Sequence, residues 1–216
     1  MQNGIKSLSQ IQKIGVVGSG QMGNGITQVA AQYGFQVVMM DVNKTALEKA
    51  LATIQGSCDR LIKKGTMSED QKVALLNRIQ TTDSIQKLAD CDVVIEAATE
   101  NVDLKLKIFK DLEKKKKKDA LLVSNTSSIS ITKIAAATTR PDKVAGMHFM
   151  NPVPLMKLVE GIRGIQTSDE TFSLVKQLAE KMDKVFVESV KDMPGFIVNR
   201  ILMPMINEAI YSLYEG

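Results

Sequence analysis

Near the amino terminus, the apolar run Ile14-Gly15-Val16-Val17 breaks into Gly18-Ser19-Gly20-Gln21-Met22-Gly23. A helical pattern opens at once, with Ile26, Val29, Ala30 and Ala31 recurring on one face. A buried strand that turns through Gly-x-Gly-x-x-Gly into a helix aims backbone N–H groups at a point where a pyrophosphate can sit. Gly18 permits the tight turn, Gly20 leaves no Cβ between backbone and phosphate, and Gly23 lets the helix approach the strand. A second apolar run, Phe35-Gln36-Val37-Val38-Met39-Met40, ends on Asp41, about 20 residues beyond the first glycine. An acid there accepts hydrogen bonds from an adenosine ribose and repels a 2′-phosphate, which favours NAD over NADP. The alternative for Asp41 is the N-cap of the helix that follows.

Downstream, Lys44 to Lys64 has helical periodicity closed by Gly65, and Ser68 can cap a further helix running to about Ile79. The two make a helix-turn-helix excursion between strands. Asp92 to Glu96 and Ala120 to Ser124 are short buried-type strands, separated by a helix from about Val102 to Lys116. Further strands are expected at Lys143 to His148, Met156 to Gly161 and Lys184 to Val187, with a helix from about Ser168 to Met182. Alternating strands and helices predict an α/β fold, a Rossmann-type doubly wound and mostly parallel sheet.

Around Asp192-Met193-Pro194-Gly195 the character changes. Phe196 to Tyr214 reads as one long helix, apolar around most of its circumference and bent at Pro204, of the kind that other helices enclose. The expected division is a nucleotide-binding domain over 1–192 and the start of an all-helical domain over 193–216. Asn199, Arg200, Asn207 and Glu208 interrupt the apolar stretch, so it does not read as a membrane span.

The composition narrows the classes of partner. Only 4% of residues are aromatic and the net charge is +4, with no basic face interleaved with aromatics, which argues against nucleic acid. Much of the charge sits in Lys114 to Lys118, which reads as a solvated helix C-terminus or as an attraction for a phosphorylated ligand. Cys58 and Cys91, in no metal-binding spacing, read as reduced thiols. Met1 to Gln12 contains one lysine, no arginine and no continuous apolar core, so a cytoplasmic protein is expected.

His148 is the single histidine, so any neutral imidazole working as acid or base near pH 7 is this one. It ends the apolar run Val144 to Met147, where catalytic groups of open α/β sheets gather; a purely structural histidine is the alternative. Glu160 ends the next run. Its carboxylate either pairs with the imidazole or lies on the surface before a turn at Gly161. Ser124-Asn125-Thr126-Ser127-Ser128 follows a strand end and offers hydroxyls and amides to a ligand, to the N-cap of a short helix near Ile131 to Ala136, or to both.

Taken together, Gly18 to Ile26, Ser124 to Ser128, His148 to Glu160 and Pro194 to Arg200 resemble the L-3-hydroxyacyl-CoA dehydrogenases over nearly the whole chain, most closely the short-chain 3-hydroxybutyryl-CoA type. The resemblance implies NAD as cofactor, held by Gly18, Ser19, Gly20, Gln21, Met22, Gly23, Asp41, Glu100, Lys105, Ser127 and Asn151. It implies His148 as the general base, Glu160 as its partner, and Ser127 and Asn199 at the reacting oxygen. Ser57 and Lys64 match coenzyme A contacts, which makes the excursion a lid presenting cations to its phosphates. The substrate pair is then 3-hydroxyacyl-CoA and 3-oxoacyl-CoA. Members of the family continue with more helices that enclose the acyl chain and form a homodimer, so these 216 residues are expected to bind NAD with weakened turnover. A catalytically silent NAD-binding or scaffolding protein, and a dehydrogenase of a non-CoA hydroxyacid, are the alternatives.

Overall fold

The computed structural model describes residues 7–115 and 120–216. Eight strands form one sheet: β1 (Lys13–Val17), β2 (Gln36–Met40), β3 (Ile79–Thr82), β4 (Val93–Glu96), β5 (Leu121–Ser124), β6 (Val144–Phe149), β7 (Leu158–Ile162) and β8 (Val185–Ser189). Their order is β3-β2-β1-β4-β5-β6-β7-β8, with β6 and β7 antiparallel and the other neighbours parallel. Between β1 and β4 the strand order reverses, which opens a crevice at their carboxyl ends.

The helices are α1 (Gln21–Gln32), α2 (Lys44–Lys63), α3 (Glu69–Leu76), α4 (Val102–Lys115), α5 (Ile131–Ala135), α6 (Asp169–Lys181) and α7 (Val198–Glu215). Side chains alternate across the strands, so each strand feeds two cores. Ile14, Val16, Ala145, Met147 and Val159 pack with α1, α2, α3 and α6 on one face. Val17, Val94, Leu122, Val144 and Ile162 pack with α4, α5 and Phe196 on the other. His148 follows the Val144 and Gly146 phase of β6, and Glu160 the Ile162 phase of β7, so both belong to this second face.

Three expectations are corrected here. The helix reaching to about Ile79 ends at Leu76, and Ile79–Thr82 is the edge strand β3, built from the β-branched residues Ile79, Thr81 and Thr82. The capping residue before α2 is Asn43, whose side chain accepts the Ala46 amide, and Asp41 is free of that duty. The last helix begins at Val198 rather than Phe196. Gly195 (φ +75°) and Phe196 (φ +51°) take left-handed conformations that turn the Phe196 ring into the core. No residue of α7 is buried, and Pro204 lies inside it.

The predicted solvated end of α4 falls partly outside the described residues, as do the first six residues of the N-terminal segment. Among the described residues no helix is long and apolar enough to cross a membrane, and no three potential metal ligands cluster.

Candidate active site

The turn between β1 and α1 fits a dinucleotide by exclusion. A Cβ on Gly18 (φ +98°) would lie 2.6 Å from the Ala97 carbonyl oxygen, and one on Gly23 would lie 1.9 Å from that of Gly18. At Gly20 a Cβ meets nothing within 4 Å, so the backbone at the mouth of α1 borders open space. The amides of an α1 N-terminus that lacks a side-chain cap face that space. Asp41, at the end of β2, accepts the Ser19 amide (2.9 Å) and hydroxyl (2.8 Å) through one oxygen and the Asn43 amide through the other. Burial pushes its carboxyl up, but the bonds from Asn43 and Ser19 outweigh that and hold it below the usual range. A carboxylate has about four acceptor sites, so ribose hydroxyls can still be accommodated.

His148 and Glu160 face each other in register across β6 and β7. His148 Nδ1 lies 2.9 Å from Glu160 Oε2, and the residues are 7% and 0% exposed. The other carboxylate oxygen accepts the amides of Ile197 (3.0 Å) and Val198 (2.9 Å) at the entry to α7. Burial alone would raise the Glu160 pKa. The His148 hydrogen bond and the two amides overcome it and keep the carboxyl below its ordinary value. An ionised acceptor on Nδ1 fixes the tautomer with its proton on Nδ1 and a lone pair on Nε2. The Phe196 ring meets the imidazole edge-on at 5.8 Å. The surface alternative for Glu160 is therefore excluded, and Gly161 is a mid-strand residue whose Cβ would strike the Phe186 ring.

A cleft of about 350 Å³ brings His148 together with Met22, Glu100, Ser127, Asn151 and Asn199, from five separate segments. Asn199 Nδ2 donates to the Ser127 carbonyl at 3.3 Å, joining the start of α7 to the loop after β5. Glu100 Oε1 accepts the Ser127 amide (3.0 Å) and the Thr126, Ser127 and Ser128 hydroxyls. Its carboxyl is pushed up by burial and pulled further down by Thr126, Lys105 and Ser127. Lys105 itself is interior. Its ammonium donates to Glu96 at 2.6 Å and sits 3.3 Å from Glu100, so it anchors the wall of the cleft from behind. The cap of α5 is Ser130, not a residue of the 124–128 cluster, and Asp192 holds it together with the Ile131 and Thr132 amides.

Asn151 also lines a second cleft of about 620 Å³. One wall is the α2 face that carries Lys49, Thr53, Ser57, Arg60 and Lys64; the loop 152–155 closes the groove. Lys49 and Arg60 were not singled out from the sequence, yet the spacing 49-53-57-60-64 is one helical face and could have found them. Lys184 was also missed. It is buried and donates to the Val153 (2.6 Å) and Met156 (2.9 Å) carbonyls, fixing that loop. Glu96, bonded to Lys105 and to Ser124 Oγ (2.7 Å), carried no sequence signal beyond its place at the end of β4.

The family model for the 3-hydroxyacyl-CoA dehydrogenase NAD binding domain matches residues 13–193. Over 206 residues the chain is 53% identical to a 3-hydroxybutyryl-CoA dehydrogenase of Bradyrhizobium diazoefficiens, covering 95% of this chain and 70% of that protein. It is 43% identical over 212 residues to the human mitochondrial hydroxyacyl-coenzyme A dehydrogenase, covering 95% and 67%. The crystal structure of (S)-3-hydroxybutyryl-CoA dehydrogenase from Ralstonia eutropha superposes with a TM-score of 0.92 at 52% identity, covering 96% of this chain and 73% of that one.

Proposed function

The chain belongs to the 3-hydroxyacyl-CoA dehydrogenase family, and from that premise we propose that it is an NAD-dependent enzyme interconverting L-3-hydroxyacyl-CoA and 3-oxoacyl-CoA, of the short-chain, 3-hydroxybutyryl type. The observation that carries the reading is the His148–Glu160 pair, buried and in register, with His148 lining the cleft that also holds Glu100, Asn151 and Asn199.

NAD, when bound, supplies the acceptor for the hydride from carbon 3. The residues that would hold it are the turn Gly18 to Gly23, with Asp41 at the ribose and with Glu100, Ser127 and Asn151 along the cleft. Lys105 serves by fixing Glu96 and Glu100.

His148 removes the proton of the 3-hydroxyl through Nε2. The charge that appears on the imidazole is balanced by the Glu160 carboxylate at Nδ1, which the Ile197 and Val198 amides hold ionised and immobile. Asn199 and Ser127 orient the reacting oxygen, Asn199 from the first turn of α7 and Ser127 from the loop after β5. Ser57 and Lys64, with Lys49 and Arg60 on the same face, meet the phosphates of coenzyme A.

Residues 1–192 make up the cofactor domain in this reading, and 193–216 begin a helical one, on which α7 leaves Ile201, Met205, Ile210 and Leu213 exposed for packing by further helices or a second copy. The buried thiol of Cys58 suits a reducing compartment, and a cytoplasmic site is proposed.

The test follows NADH absorbance with acetoacetyl-CoA. NADH consumption that disappears in His148→Gln is expected. Binding of NADH with no His148-dependent consumption would overturn the proposal.

A further inference from the structure

Gln28 lies on α1 one turn beyond Gly25 and lines the larger cleft opposite the cationic face of α2. It is 1% exposed, and its Nε2 finds no acceptor among the described residues. A buried amide donor left unpaired costs about 1–3 kcal/mol, so its place in a well-packed helix calls for a compensating role.

The surroundings say what kind of group would satisfy it. The Gly25 Cβ position is only 2.9 Å from Val153, so the loop 152–155 rests directly on α1 beside Gln28. The groove is lined by Ser57, Arg60 and Lys64 and also by Asn151, which it shares with the cleft containing His148. A thioester with its phosphates against Arg60 and Lys64 and its acyl carbon in the cleft of His148 lays its connecting arm along this groove. No carboxylate lines it, and the cations stand on α2, so what α1 contributes at position 28 is a neutral donor suited to a neutral acceptor.

We infer that Gln28 is a specificity-determining residue for the pantetheine arm of the substrate, its Nε2 donating to an amide carbonyl of that arm. The inference rests on the thioester reading above. The terminal torsion of a glutamine is soft, so a turn of the amide presents the donor to the groove without moving the helix. A substrate lacking the arm leaves the donor unpaired, and selectivity for long, amide-bearing thioesters follows.

The experiment compares wild type with Gln28→Met in the full chain, with Gln28→Leu as a second variant. KM for acetoacetyl-CoA is expected to rise about tenfold, the equivalent of one ordinary hydrogen bond. kcat and the NADH dissociation constant should stay within about twofold, and the melting temperature should rise because an unpaired buried donor has gone. The same KM penalty is expected with acetoacetyl-pantetheine, which lacks the nucleotide. An unchanged KM in both variants, or a penalty that vanishes with acetoacetyl-pantetheine, would overturn the inference. Calorimetric titration with coenzyme A alone reads the contact without turnover. If wild type binds coenzyme A about tenfold more tightly than Gln28→Met yet turns over no thioester, the inference stands and the dehydrogenase reading falls. Equal binding by the two, or none by wild type, sinks the inference.

Discussion

His148 and Glu160 are register partners across the antiparallel pair β6–β7, and their side chains leave the same face of the sheet to meet at 2.9 Å. Period-two alternation therefore fixes the pair: a slip of one residue would put one side chain on the α6 side and the other on the α5 side. Because Glu160 also takes the two amides at the entry to α7, the charge that supports the imidazole also anchors the helix that brings Asn199.

His148→Gln keeps a polar side chain of similar reach but removes the basic nitrogen. Turnover is expected to fall by roughly 10²–10⁴, the range for a lost general base. Fluorescence titration should find NADH affinity within about threefold of wild type, since the glycine turn and Asp41 are untouched. Loss of both together would mean that His148 shapes the cofactor site rather than performing the chemistry.

The sheet was legible because buried parallel strands are short apolar runs and the glycine turn marks its own place. Ile79–Thr82 was not, being a half-polar edge strand beside a helix whose periodic pattern could run on into it. The motif residues His148, Glu160 and Asn199 could be named from sequence. Asp192 on the cap of α5, Lys184 under the 152–156 loop and Glu96 beneath Glu100 could not, since each acts on backbone or buried charge brought from far along the chain. Phe196 was misread because a left-handed turn at a non-glycine residue has no compositional mark.

Acid should weaken the fold through three carboxylates at the site. Glu160, Glu100 and Asp41 all titrate below their ordinary range in the folded chain, each because hydrogen bonds outweigh burial. Their stabilisation is complete above the unfolded carboxylate values, about 4, and is lost as pH falls through the lower folded values. Thermal melts taken from about pH 6 down to about pH 3 should show this loss, with a shallower slope in Glu160→Gln. Glu160→Gln should also lower kcat and move the acid limb of the activity profile. An activity profile unchanged in Glu160→Gln, with the melting slope still shallower, would reduce Glu160 to a helix anchor.

Substitutions at Gly20 and Gly23 should separate binding from folding. At Gly20 a methyl meets open space and the backbone φ is an ordinary −62°, so Gly20→Ala should keep its melting temperature while NADH affinity falls at least about tenfold. At Gly23 the methyl would lie 1.9 Å from a carbonyl oxygen, so Gly23→Ala must shift α1 from β1 and should melt lower. Circular-dichroism melts and NADH titration of both variants make the comparison; the reverse pattern would place the pyrophosphate away from Gly20.

Lys184 is a buried ammonium with two carbonyl partners, Val153 and Met156, which bracket Pro154. Burial is the first influence on it and draws its pKa down, with Lys157 adding to the fall and Asp183 opposing it. Lys184→Met leaves both carbonyls without their donor, a cost of about 1–3 kcal/mol, whereas Lys184→Arg keeps a cationic donor in place. The loop it holds lines the groove assigned to the thioester, and Asn151 at its start borders the His148 cleft. Amides of Leu155 and Met156, both bonded to the Pro152 carbonyl, should exchange with deuterium at least about tenfold faster in Lys184→Met. KM for acetoacetyl-CoA should rise while NADH affinity stays near wild type, and Lys184→Arg should restore most of the difference. If exchange at 155 and 156 is unchanged while stability drops uniformly, the lysine supports the core and not the wall of the groove.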